Sequence, residues 1–400
     1  MRLHHAFATA AFVSLAASTG GTRAFARASV NCPTFSEHEP DADCAGAAPQ
    51  RYFGPTIDRI IIRTPLKNVK SGDKISYEWI DPSGNRHYSK SFSIASDAKK
   101  RCSWNYIGIK GARAAEKSGV WKVKVSYNGE ERCTATFHLL TDLVVVEPGD
   151  LPIVITAPHG GTSEVTGVYQ RTATCGTLKG DQKTLDVATK IRDEVKALLG
   201  RAPYLVAAKF GRKWIDANRS DATDDPEARA YDDPNARPVH AAYHRAVRDA
   251  VDAARAKFGK AILVDVHGQS GDGQEETIHR GTRNGQTVTD LVSRCGVAAL
   301  VGPKSLFGAL AQAGYKIFPP PGVAPDKKKE NPNYGGGFTV STYGSHNANG
   351  VDAVQMEIGV SLRTDDVKRK KLKKDIAAAV KTFYDAFLKT PCATTDPSRP

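Results

Sequence analysis

Close to residue 141 the hydrophobic rhythm changes from strict alternation to alternating strand and helix patterns, and that switch dictates two domains of different class. N-terminal to it, Lys74-Ile75-Ser76-Tyr77-Glu78-Trp79 and Trp121-Lys122-Val123-Lys124-Val125-Ser126-Tyr127 place apolar side chains at every second position. Glu131 to Leu139 alternates again, and Ile57 to Ile62 is a branched apolar run. A period of two is the signature of a pleated strand with one buried face. Asn128-Gly129 between two such runs predicts a hairpin, because a two-residue turn of this kind needs positive φ at both positions. Short strands broken at this spacing predict a small all-β sandwich over residues 51–141. Trp79, Trp104 and Trp121 sit at strand spacing and read as core rather than as a sugar-binding face.

From Asp142 the pattern is that of an α/β domain, expected over 142–390. Leu143 to Val146, Ile153 to Thr156, Tyr204 to Ala208, Ala261 to Val266 and Asp352 to Ile358 are short buried-strand runs. Thr184 to Leu199 carries Leu185, Ala188, Ile191, Val195 and Leu198 at helical spacing and stops at Gly200. Pro238 to Phe258 and Thr364 to Leu388 are further helices. Strands alternating with helices imply a central, largely buried sheet with helices packed on it. Ligands in such folds sit at the C-terminal ends of strands.

Four hundred residues accommodate both domains with short flanking segments. Residues 1–26 read as an export signal. A basic start (Arg2, His4, His5) precedes an apolar run from Ala6 to Ala17 and the small-residue site Ala24-Phe25-Ala26. A linker is expected over 27–50 and a tail over 391–400. No later stretch approaches the ~18–20 apolar residues of a membrane span, so the expected product is secreted or periplasmic. Cysteine usage fits an oxidising compartment. Cys32/Cys44 and Cys102/Cys133 read as local pairs, which leaves one further pair at most among Cys175, Cys295 and Cys392. None shows the C-x-x-C spacing of a thiolate metal site. The net charge of +13 favours anionic partners such as acidic peptides or cell-envelope polymers. Its largest run, Lys368 to Lys374, is interleaved with helix-spaced Leu372 and Ile376, so it reads as a solvated helix face and gives no nucleic-acid signature.

The residues that carry chemistry fall at the expected strand ends. His159-Gly160-Gly161 follows the strand ending at Thr156, with glycines that allow a tight turn and Glu164 placed to return beside the histidine. Such a histidine is either a metal ligand or a hydrogen-bonded turn residue. His267-Gly268 ends a second buried strand, and two strand-terminal histidines can converge on one metal with an open coordination position. Asp265 projects to the same strand face as His267, where it either accepts the imidazole N–H or is held by backbone groups. Gln355 and Glu357 share one face of an apolar strand; a carboxylate there demands a partner or a function, and next to a metal it suits proton transfer. Arg219, beside Asn218, suits bidentate recognition of a substrate carboxylate. Arg280 and Arg283 add cations on a segment after His267, either for substrate or for a developing oxyanion.

In order, Pro158-His159-Gly160-Gly161, Asp216-Ala217-Asn218-Arg219, Tyr243-His244, Asp265-Val266-His267-Gly268, Gly336-Gly337-Phe338 with Tyr343-Gly344, and Gln355-Met356-Glu357-Ile358 resemble the motifs of the N-formylglutamate amidohydrolase-like family. The resemblance spans roughly residues 150–390. It implies a zinc-exopeptidase-like mixed sheet flanked by helices and one zinc ion held by His159 and His267. It further implies Glu357 as the catalytic carboxylate and Asn218 and Arg219 at the substrate. The H-x4-E spacing of His159 and Glu164 is similar to that of phage poly-γ-glutamate hydrolases and supports Glu164 as third ligand, with Asp181 as the alternative. The β domain loosely resembles immunoglobulin-like accessory modules of exported enzymes. The implied activity is hydrolysis of an amide bond in a carboxylate-bearing acyl-amino acid or glutamyl peptide. A secreted zinc carboxypeptidase or a cell-wall peptide amidase on the same scaffold is the nearest alternative. A degenerate hydrolase that binds a polymer through its β domain is the alternative of another class, and the joint retention of His159, His267 and Glu357 disfavours it.

Overall fold

The structure is a computed structural model and describes residues 28–45, 49–54, 57–172, 177–222 and 228–392. The export signal expected over residues 1–26 lies outside the described residues, as do Cys175 and the tail from residue 393 onward.

The alternating region forms nine strands: β1 (Ser29–Val30), β2 (Thr34–Ser36), β3 (Tyr52–Phe53), β4 (Arg59–Val69), β5 (Lys74–Ile80), β6 (Arg86–Ser93), β7 (Ala98–Gly108), β8 (Gly119–Tyr127) and β9 (Glu130–Leu139). They make two sheets. In one, β1 and β2 pair with one edge of β4 and β7 with the other; the second has the order β3-β9-β8-β5-β6. The inward positions of both sheets merge in one core, where Phe137 lies 5.0–6.0 Å from the rings of Phe35, Phe53, Trp79 and Trp121. Trp79 and Trp121 are thus core residues as expected, while Trp104 points outward and stacks on Tyr106. Asn128 and Gly129 both have positive φ, 52° and 88°, at the tip of the β8–β9 hairpin.

Two expectations about this region are corrected. Residues 27–50 are not a linker over their described length, because β1 and β2 lie in the sandwich and Phe35 is buried in its core. Strands of two or three residues are too short to show alternation. The disulfides are Cys32–Cys133, Cys44–Cys102 and Cys295–Cys392. The first two cross between segments far apart in sequence, because pairing follows strand adjacency in the folded sandwich rather than sequence proximity.

The second domain contains β10 (Val144–Glu147), β11 (Ile153–Ala157), α1 (Thr184–Leu199), β12 (Tyr204–Ala208), α2 (Arg237–Phe258), β13 (Ile262–Gln269) and β14 (Thr277–Gly281). These are followed by α3 (Thr289–Cys295), α4 (Ala298–Val301), α5 (Leu306–Gln312), β15 (Lys316–Phe318), α6 (Phe338–Tyr343), β16 (Asp352–Gly359), α7 (Val360–Thr364) and α8 (Asp366–Phe383). The mixed sheet has the order β10-β12-β11-β13-β16-β14-β15. Its central strands β12, β11, β13 and β16 are parallel, β10 is antiparallel to β12, and β14 is antiparallel to β16 but parallel to β15. Ile155, Val264, Val266, Val354, Met356 and Ile358 face α1, α5 and α8; Val154, Leu263 and Ala353 face α2 and α6. In α1 the buried stripe runs through Val187, Ala188, Ile191 and Val195, and Leu198 is exposed, so the helix is rotated slightly from the expected face.

The register positions the site. The face that begins with Val154, Leu263 and Ala353 under α2 continues, two residues on, with Thr156, Asp265 and Gln355, and then with His267 and Glu357, which are paired neighbours. One sheet face therefore changes from core to polar within a single strand length. Peptide mapping without reduction tests the covalent frame: it should recover the cross-linked pairs Cys32–Cys133, Cys44–Cys102 and Cys295–Cys392, whereas Cys32–Cys44 or Cys102–Cys133 peptides would contradict this sandwich.

Candidate metal centre

His159 follows β11 and His267 lies near the C-terminal end of β13, on adjacent parallel strands. Their rings meet edge to face with centroids 4.7 Å apart. Asp181, just before α1, completes a group with ligand atoms all within 4.8 Å of one another. Asp181 Oδ2 is 3.3 Å from His159 Nδ1 and 3.2 Å from His267 Nδ1, and it accepts the Gly268 N–H. The loop is fastened by a bond from the Asp181 N–H to the His159 carbonyl. Gly160 and Gly161 serve here by closeness rather than by turning. Neither has positive φ, and a Cβ on Gly160 would lie 2.2 Å from the Leu185 nitrogen.

Each imidazole has a second carboxylate on its far nitrogen. His159 Nε2 is 2.7 Å from Asp216 Oδ1, and His267 Nε2 is 2.9 Å from Asp265 Oδ2. Asp216 in turn receives Arg212 Nε at 2.8 Å, and Asp265 accepts the Thr156 hydroxyl. Burial opposes the charge on Asp216, but His159 and Arg212 hold its carboxyl well below the usual range. Backing carboxylates of this kind fix the imidazole orientation and raise its basicity as a ligand. Four carboxylates, Asp181, Asp216, Asp265 and Glu357, are gathered in buried space, which costs several kcal/mol per ion unless cations offset them. Two imidazoles and a carboxylate, all turned toward one point, are the N/O donor set of a divalent transition metal with an open position. The residues present therefore fit a metal.

Glu357 stands beside this triad, with Oε1 3.9 Å from His267 Nδ1. Burial pushes its carboxyl up to about 7, against the pull of His267. Its orientation is relayed: the Gly337 N–H donates to Gln355 Oε1, which leaves the Gln355 amide Nε2 to donate to Glu357 Oε1 at 2.9 Å. Asn218 is packed behind His267. Its Oδ1 accepts the Thr339 N–H, and Gly337 lies so close that a Cβ would meet Asn218 Nδ2 at 2.2 Å. His240 and His244 of α2 touch the carbonyls of Arg219 and Ala217, at 3.0 Å each, and so hold the segment that carries Asn218 and Arg219. A polar cleft of about 600 Å³ joins these groups, lined among others by His159, Asp181, Arg219, His267, Glu357 and Lys179. Arg219 and Lys179 have no carboxylate partner among the described residues.

Three sequence expectations are corrected. Glu164 is exposed and away from the histidines, because the residues after His159 run extended beside Phe210 and Gly211 and carry it to the surface. Asp181, the alternative, is the carboxylate that lies beside both histidines. Arg280 alternates onto the sheet face opposite His279 and is buried in an ion pair with Glu330, at 3.1 Å. Arg283 is exposed, binds Ser341, and does not line the cleft. The positioning residues Arg212 and Arg363 were not singled out; Arg363 donates to the carbonyls of Ile358, Gln182 and Gln269, and a Cβ on Gly268 would lie 2.3 Å from its guanidinium carbon. Neither follows a local motif that would reveal it.

Residues 235–362 match the family model described as N-formylglutamate amidohydrolase. Among solved structures, the chain is similar to N-formylglutamate amidohydrolase from Ralstonia eutropha JMP134. That match has 19% identity and a TM-score of 0.40, and covers 61% of this chain and 96% of that one. A gene product from Agrobacterium tumefaciens matches at 16% identity and TM-score 0.38, covering 60% of this chain and 95% of that one. An immunoglobulin-like protein from Pseudomonas aeruginosa matches at 12% identity and TM-score 0.20, covering 29% and 98%. No curated protein matches this chain.

The clamp of carboxylates makes a quantitative prediction. Asp216→Asn and Asp265→Asn should each weaken metal affinity by about 10–100-fold, while Glu164→Gln leaves it unchanged, as read by competition with a chromogenic chelator. A loss on Glu164→Gln equal to that on Asp181→Asn would contradict the triad.

Proposed function

We infer that this N-formylglutamate amidohydrolase-like chain is a secreted zinc-dependent amidohydrolase that cleaves an amide bond in a carboxylate-bearing acyl-amino acid or glutamyl peptide. The observation that carries the reading is the convergence of His159, Asp181 and His267 next to a buried Glu357 in an open polar cleft. The three disulfides support export, since such bonds persist in oxidising compartments. Among the described residues no helix is long and apolar enough to cross a membrane.

Zinc held by His159, Asp181 and His267 would polarise a carbonyl oxygen and favour ionisation of water near neutral pH. The chain's own groups supply the rest. Arg219, lining the cleft without a carboxylate partner, anchors the substrate carboxylate, with Lys179 adding positive potential at the mouth. Glu357, held by Gln355, accepts the proton of the attacking water at Oε1 or Oε2 and returns it to the departing nitrogen. Gln355 keeps this carboxylate aimed along the sheet face toward the histidines. Arg212 and Asp216 keep His159 in place while that proton moves.

Elemental analysis of the mature chain should give about one zinc per molecule, lost in a His159→Ala/His267→Ala variant; no zinc, and none taken up on addition, would rule the reading out. Glu357→Gln should keep the metal and lose about 10²–10⁴-fold in kcat, so near-normal turnover removes Glu357 from the reaction. Arg219→Ala should raise KM for carboxylate-bearing amides by roughly 10–150-fold, the equivalent of about 1.5–3 kcal/mol, with a smaller effect on kcat, measured against an amide lacking that carboxylate.

A further inference from the structure

Among the described residues, a groove larger than the cleft at the metal centre lies elsewhere. In the β domain, β6 pairs only with β5 and β7 only with β4 among the described residues. The free edges of the two sheets lie on one side of the sandwich, and a groove of about 1190 Å³ opens between them. Each edge presents unpaired backbone N–H and C=O groups, the template to which a further strand adds.

The groove is predominantly basic. Arg86 and Lys90 on β6, Arg101 on β7 and Arg113 after it line the opening, and none has a carboxylate partner among the described residues. Lys117 is held by Asp81, and Glu116 is the one acid in the lining. Cationic edge residues ordinarily repel strands that would pair with an edge. Here the repulsion is selective, because an acidic strand converts each unpaired cation into a partner while a neutral or basic one does not. Exposed Tyr88, on the row of β6 that faces the opposite sheet, gives apolar surface to the stems of its side chains.

We propose that this groove binds an extended acidic peptide segment, which adds as a strand to the edge of β6 or β7 with its carboxylates on Arg86, Lys90, Arg101 and Arg113. A glycan would use the aromatic ring and the charge but would leave the backbone rows unpaired, so the peptide accounts for more of the surface. The site is on a different domain from the metal centre, and its binding is read without turnover.

The test uses the full mature chain and a fluorescein-labelled oligo-α-L-glutamate of about the length of β7, 11 residues, followed by anisotropy. Binding should saturate and fall at least roughly tenfold in Arg86→Glu/Arg101→Glu/Arg113→Glu. It should be unchanged in Lys257→Glu/Lys371→Glu/Lys374→Glu, which alters net charge equally on the other domain. A backbone N-methylated peptide of the same length and charge should bind at least roughly tenfold more weakly, because strand addition needs its N–H groups. Amide hydrogen exchange of the unmodified chain should slow within residues 86–93 or 98–108 on saturation with the peptide. Equal loss in both triple variants, equal binding of the methylated peptide, or no slowing at either edge would overturn the proposal. Tighter binding of an oligogalacturonate probe would reassign the groove to acidic sugars.

Discussion

A buried cluster of like charge governs the α/β domain. Asp181, Asp216, Asp265 and Glu357 lie at the C-terminal ends of β11, β13 and β16 or in the loops that meet there, all removed from solvent. Carboxylates in such space are tolerated only if cations and donors surround them. Two histidines, Arg212, the Thr156 hydroxyl, the Gly268 N–H and the Gln355 amide supply part of that balance. A divalent ion between His159, Asp181 and His267 would supply more, at the point where the donors converge.

The fold exists to bring those groups together at small separation. Parallel pairing in register sets His267 beside Glu357 and Asp265 beside Gln355, so these four side chains form a two-by-two patch on one sheet face. The loops add the remainder through close backbone approach at Gly160, Gly268 and Gly337. At these glycines the missing side chain leaves room for Leu185, Arg363 and Asn218, not for a tight turn.

What the sequence made legible was whatever repeats locally. The Asn128-Gly129 hairpin, the central strands and the two strand-end histidines all follow from alternation and apolar runs, and Asp265 follows from its i−2 spacing to His267. Contacts across long sequence separations were not legible. The carboxylate that joins the two histidines lies 22 residues beyond His159 rather than five, because a loop bond to the His159 carbonyl, not strand spacing, delivers Asp181. Arg280 lies one residue from the site-facing row, and a single step along a strand reverses its face. The disulfides join strands that are neighbours only after the sandwich has closed.

The central claim is that the two histidines offer Nδ1 to one metal while Nε2 of each is held by a buried carboxylate. Crystals of the zinc-loaded chain, measured on both sides of the zinc absorption edge, test it most directly. The account predicts one anomalous peak at about 2.0–2.2 Å from His159 Nδ1, His267 Nδ1 and an Asp181 oxygen, with Asp216 and Asp265 still on Nε2. A peak ligated by Glu164, or by the Nε2 atoms with the carboxylate clamp broken, would contradict it.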